Sequence, residues 1–67
     1  MKTFSLNGQK YCGKGQFSIF DLINYFDYNL DLLVIEYNNI ICDKKKWKKT
    51  FINNDDKIEI VTIVGGG

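Results

Sequence analysis

Apolar and polar residues alternate at both ends of the chain. Near the start, Phe4 and Leu6 point one way and Thr3 and Ser5 the other, the period of a strand. Near the end, Ile58, Ile60, Thr62 and Val64 fall on one face and Glu59, Val61 and Ile63 on the opposite one. Between them the period changes. Ile19, Leu22, Ile23 and Phe26 recur at i, i+3, i+4 and i+7, which predicts one amphipathic helix with all four residues in the core. Leu30 to Tyr37 reads as a strand, and Ile40-Ile41-Cys42 as a shorter one.

Turn and cap residues punctuate these runs. Asn7-Gly8 is a two-residue hairpin signal, because both positions tolerate φ > 0, and Gln9 to Cys12 then returns as the second strand. Ser18 predicts an N-cap, Asp21 the acid of a capping box, and Phe17 with Leu22 a hydrophobic staple. Asn29, or a turn flanking Asn24, is expected to end the helix, and Asn29 tolerates the left-handed cap conformation better. Asn38-Asn39 makes the next turn. Asp43 caps a brief helical turn over Lys44 to Lys49, with Trp47 pointing inward. Thr50-Phe51-Ile52 is extended or irregular, and Asn53-Asn54-Asp55-Asp56 is a turn, dense in residues that bond their own backbone.

The resulting order is strand, strand, helix, strand, short strand, short helix, strand. It predicts an α+β domain, one helix packed on a mixed sheet of four to five strands. The connection through the helix crosses the sheet, since it is too long for a hairpin. The last strand, rich in β-branched residues, is expected beside the first, in the middle of the sheet and covered on both sides.

Composition narrows the function. With 67 residues the chain is one domain that buries only ~60% of its unfolded surface, and ten aromatics among 45% hydrophobic residues supply the core. A net charge of +1 argues against nucleic acid or an acidic membrane as the main partner. No apolar run reaches the ~20 residues of a membrane span, and with strand-like alternation from Lys2 no leader segment is expected. Work in the cytoplasm of a bacterium, or in the plastid stroma if the chain is organelle-encoded, is the expectation. Abundant Lys, Asn, Ile, Phe and Tyr point to AT-rich codons. Cys12 and Cys42 form no Cys-x-x-Cys and are expected to be reduced and structural. There is no His, which removes the commonest general base and the commonest metal ligand. Gly13-Lys14-Gly15 lacks the Gly-Lys-Ser/Thr of a phosphate loop.

Gly65-Gly66-Gly67 follows the last strand directly. Such a run is either a frayed end or a slim arm whose missing Cβ atoms suit a narrow channel in a partner. The division is residues 1–64 as the folded domain and 65–67 as a flexible glycine tail. Glu59 is expensive to bury, so its face turns away from the helix, and Val61 and Ile63 share that face next to the glycines. Glu59, Val61 and Ile63 are therefore candidates for partner docking. The alternative is that the segment from Lys49 to Asn54 covers the two apolar ones.

The early Asn-Gly hairpin, the helix opening at Phe17-Ser18, Val34-Ile35-Glu36-Tyr37-Asn38, Trp47, Asp55 to Ile60 and the Val64-Gly65-Gly66-Gly67 ending together resemble the thiamine-biosynthesis sulfur carrier family across the whole chain. These are small ubiquitin-like β-grasp proteins. The resemblance implies a carrier rather than an enzyme, with no permanently bound cofactor, monomeric when free. It implies that an E1-like adenylating enzyme activates the carboxylate of Gly67 with ATP and Mg²⁺, that a persulfide donor converts it to a thiocarboxylate, and that thiazole synthase takes the sulfur. Gly65 and Gly66 would lie in the partner's channel. The Gly-Gly ending is shared with the molybdopterin-synthase small subunit and with ubiquitin-like modifiers, generally longer chains. Two readings of another class remain: a small nucleic-acid-binding module using Lys44 to Lys49 around Trp47, and a structural subunit with inert glycines.

Overall fold

The computed structural model describes residues 1–62. Five strands, β1 (Lys2–Leu6), β2 (Gln9–Gly13), β3 (Leu33–Tyr37), β4 (Ile40–Cys42) and β5 (Lys57–Thr62), form one sheet in the order β2-β1-β5-β3-β4. The helix α1 (Ile19–Tyr25) crosses one face of it. β5 runs parallel to β1 and antiparallel to β3. The expected α+β, ubiquitin-like β-grasp architecture is therefore present, with the last strand in the middle beside the first.

The two hairpins close as their sequences dictate. Asn7 and Gly8 have φ of 51° and 83°, and Leu6 pairs with Gln9 across them. Asn38 and Asn39 have φ of 52° and 71°, and Tyr37 pairs with Ile40. Both are two-residue turns with left-handed central residues, the twist that matches paired strands.

The helix starts as expected and ends earlier. The Asp21 N–H donates to Ser18 Oγ at 3.1 Å, and the Ser18 N–H donates to Asp21 Oδ2 at 2.9 Å, a complete capping box. Its last turn closes with the Tyr28 N–H on the Ile23 carbonyl (3.2 Å) and the Asp27 N–H on that of Asn24 (3.1 Å), a Schellman motif. Asp27, at φ 60°, is thus the left-handed residue, not Asn29. Asn29 instead accepts the Asp31 N–H at 3.1 Å and caps a 3₁₀ turn, Leu30–Leu32. That turn delays β3, which begins at Leu33 rather than Leu30, where the ladder to β5 starts with Leu33 opposite Thr62.

Ile19, Leu22 and Ile23 pack on Phe4, Leu6, Ile35, Ile58 and Ile60. Phe26 departs from the expected core position: it is half-buried at the margin, edge-on to Tyr11 with ring centroids 5.3 Å apart. Ile52 is fully buried, although its segment carries no regular pattern, because its N–H bonds the Phe17 carbonyl at 2.9 Å and Phe51 bridges to Ser18. Trp47 points inward as expected, with its indole N–H donating to the Cys42 carbonyl at 3.0 Å. The cysteines are free, but neither is a buried core residue. Cys12 is exposed on the edge strand β2, and Cys42 is half-buried with its Sγ 3.7 Å from Thr50 Oγ1.

The expectation that β5 is covered on both sides fails. Ile58 and Ile60 are buried under the helix, while Val61, on the opposite face, is exposed. β-branched residues favour the strand backbone whether or not both faces are covered.

Candidate functional site

Two things make β5 a firm base for whatever follows it. The first is its central place. The second is a pair of asparagine clamps, one from each hairpin turn. The Asn7 carboxamide oxygen accepts the Ile60 N–H at 2.7 Å, and that of Asn38 accepts the Lys57 N–H at 2.8 Å. The backbone N–H groups of the same residues bond the carbonyls of Ile58 (2.9 Å) and Lys57 (2.7 Å). The turn before β5 is held as tightly. Asp56 is buried and accepts from the Tyr37 hydroxyl (2.5 Å), the Asn53 N–H (2.7 Å) and the Asn38 amide (3.1 Å). Burial pushes the Tyr37 hydroxyl up to about 12, helped by its bond to the Asp56 carboxylate and by that charge.

The helix-free face of the sheet carries two of the predicted docking residues, Glu59 and Val61. Val61 is 54% exposed, so the segment from Lys49 to Asn54 does not cover it, and Glu59 is half-buried on the same face. The ladder adds residues that periodicity within β5 did not reveal. Val34 stands opposite Val61, and Glu36 stands opposite Glu59 on one side and Ile41 on the other. Ile41 is 70% exposed on the edge strand β4. The result is an apolar strip of Val61, Val34 and Ile41 beside two facing carboxylates. Like charges directly across a ladder repel. Lys57, two residues before Glu59 on the same face, relieves this partly with its Nζ 3.2 Å from Glu59 Oε1. β3 and β4 contribute through long-range register, which pattern within one strand does not encode.

Of the other sequence-derived site residues, Ile63, Gly65, Gly66 and Gly67 lie outside the described residues. Among those described, no group of three or more His, Cys, Asp or Glu stands close enough to hold a metal, and no helix is long and apolar enough to cross a membrane. Lys44 to Lys49 do not form the aromatic-plus-basic platform of a single-strand binder, because Trp47, its stacking ring, is 2% exposed.

Comparison with known proteins gives consistent neighbours. The ThiS family model matches residues 4–67. The protein ycf40 of Trieres chinensis is 62% identical over 66 residues, covering 98% of this chain and 90% of that protein. That of Porphyra purpurea is 37% identical over 65 residues, covering 97% and 92%. The crystal structure of the thiamine biosynthesis protein ThiS from Geobacter metallireducens superposes with a TM-score of 0.83 at 18% identity, covering 97% of this chain and 99% of that one. A solution structure of a thiamine biosynthesis protein from the same organism gives 0.78, covering 97% and 87%.

Proposed function

The chain belongs to the ThiS family, and from that premise we propose that it carries sulfur for the thiazole ring of thiamine on the carboxylate of Gly67. That carboxylate attacks the α-phosphorus of ATP on an E1-like adenylating enzyme, which binds the nucleotide and Mg²⁺, and pyrophosphate leaves. A carboxylate is a poor acyl donor because its oxide leaves badly, whereas the acyl-adenylate loses AMP readily. The terminal sulfur of a persulfide attacks the acyl carbon and AMP departs. A thiol then cleaves the resulting S–S bond, leaving the thiocarboxylate and a disulfide on the donor. Thiazole synthase consumes the sulfur and regenerates the carboxylate. All catalytic groups in this reading belong to the partners.

The observation that carries it is the clamped β5 strand, held by Asn7 and Asn38 immediately ahead of a sequence that ends in three glycines. A carrier needs a rigid root and a side-chain-free end, so that docking sets the direction from which the end enters a channel. Val61, Glu59 and Ile63, with Val34 and Ile41, supply the docking face in this proposal. The similar proteins are the ycf40 proteins of Trieres chinensis and Porphyra purpurea, and the plastid stroma is the compartment proposed for this carrier.

Intact mass spectrometry tests this. The protein, incubated with ATP, the adenylating enzyme and a persulfide donor, should gain the mass difference of one sulfur for one oxygen. Deleting Gly66 and Gly67, or adding one residue after Gly67, should abolish the gain and leave the melting temperature unchanged. Thiazole formation undiminished in either variant would refute the carrier reading.

A further inference from the structure

Five of the nine lysines stand in one six-residue run, Lys44 to Lys49, broken only by Trp47, and all five are exposed. This is not a floppy, solvated tether. Trp47 anchors it in the core, the Trp47 carbonyl accepts the Phe20 N–H at 3.2 Å, and the Thr50 carbonyl accepts the Ile19 N–H at 2.9 Å. Lys44, Lys45 and Lys48 rim a depression floored by Phe20 and Trp47, and Lys48 Nζ sits 4.8 Å from the centre of the Phe20 ring. Among the described residues the run's one ion pair is Lys44 to Asp31 at 3.4 Å, with both side chains more than half exposed. Such a pair contributes little. The fold therefore holds five like charges together on a fixed mount, with the exposed carboxylates of Asp31 and Asp43, the latter occupied with the Lys45 N–H at 3.3 Å, as the acidic groups beside them.

Their position gives this a direction. Asp31 lies in the turn that leads into β3, and β3 opens with Leu33 paired to Thr62 at the far end of β5. The lysine corner thus stands at the same end of the sheet as the exit of the last strand. A shallow groove whose lining includes Leu33, Val34, Ile41, Asp43 and Lys44 joins it to the apolar strip of the open face. An enzyme that receives the chain's end meets strip and corner together.

We infer that Lys44, Lys45 and Lys48 form a second docking point, for an acidic surface on the enzyme that adenylates the tail, and that it acts mainly by raising the rate of association. The inference rests on the carrier reading above. Clustered charge of one sign steers a complementary partner and fades as salt screens it. A nucleic acid is the less suitable occupant, since the buried Trp47 offers no stacking face.

The test compares two variants of equal charge. K44Q/K45Q/K48Q removes the corner, and K2Q/K10Q/K14Q removes three lysines from the β1–β2 side. Stopped-flow association with the adenylating enzyme is measured at about 50 and 300 mM salt, where the Debye length falls from roughly 14 to 6 Å. The corner variant should associate about tenfold more slowly at low salt, with an unchanged dissociation rate and a gap that narrows at high salt. The control should stay within about twofold. Lys45→Glu alone should slow association too, which guards against a triple variant that folds poorly. Equal slowing in both triple variants, no slowing in either, or a loss confined to oligonucleotide binding would each overturn the inference. Wild-type protein that is never adenylated refutes the carrier reading instead; wild-type protein adenylated no faster than the corner variant refutes only the lysine corner.

Discussion

Asp56→Asn isolates the buried carboxylate beneath the last strand. Oδ2 receives two donors, the Tyr37 hydroxyl and the Asn53 N–H, and Oδ1 receives the Asn38 amide. An asparagine keeps the shape but has one acceptor oxygen. If that oxygen faces Tyr37 and Asn53, its NH₂ faces the Asn38 NH₂, and the buried side chain at 56 gains a donor with no acceptor. A bond to a charged group contributes about 1 kcal/mol more than a neutral one, and an unsatisfied buried donor costs about 1–3 kcal/mol. The sum is about 3 kcal/mol, against a total of roughly 3–10 kcal/mol for a domain this size. The melting temperature should fall by roughly 12–24 °C. Urea unfolding of the wild type, Asp56→Asn, Tyr37→Phe and the double variant completes a cycle, in which the coupling should be about 1 kcal/mol. The phenol offers a second readout. Its folded value of about 12 lies above the unfolded 10, so the folded state holds the proton longer. The Tyr37 contribution to stability is therefore whole below pH 10 and is lost as pH rises from 10 to 12. In Asp56→Asn the phenolate absorbance should appear at lower pH, yet still above 10, because burial is the larger cause. A variant within about 0.5 kcal/mol of wild type would show that the carboxylate does not hold this turn.

Three further outcomes are expected. Ile23→Ala should destabilise by about 4 kcal/mol, whereas Phe26→Ala, at the core's margin, should cost only about 2 kcal/mol; urea melts in the reverse order would put Phe26 at the centre. Ser18→Ala should cost about 1 kcal/mol through the lost cap, and a neutral result would mean that the Ser18–Asp21 box contributes nothing. Val61→Asp should leave the melt within about 0.5 kcal/mol of wild type while weakening binding to both the adenylating enzyme and thiazole synthase; normal binding to both would move the docking surface elsewhere.

What was legible in the chain was what local chemistry decides. Asn7-Gly8 and Asn38-Asn39 select left-handed turns by themselves, and Ser18 with Asp21 caps the helix within four residues. Asp27 and Asn29 tolerate the left-handed conformation comparably, so the helix end depended on which carbonyls remained to be closed, and pattern favoured the wrong one. Burial of Asp56 was hidden because its partner Tyr37 is 19 residues away. Period two placed Glu59 and Val61 on the open face, but Val34, Glu36 and Ile41 join them only through pairing across the sheet. The asparagine clamps were equally hidden: Asn7 reads as a turn residue, and nothing near it announces a bond to Ile60, 53 residues on.

Placing β5 between the hairpins governs when the chain becomes a protein. β1 pairs with β2 and β3 with β4, each from sequence neighbours, yet the two pairs meet only across β5. Synthesis delivers them first and the joining strand last. Until then β1 and β3 each present an unpaired inner edge, and the loop closures that would stabilise the sheet are not available. A nascent chain interrupted before Lys57 is left with two open edges, a substrate for proteolysis or aggregation. A chain read through β5 can close the sheet, and only such a chain can go on to carry Gly67. The topology thus makes closure of the sheet wait for the strand that leads to the glycines.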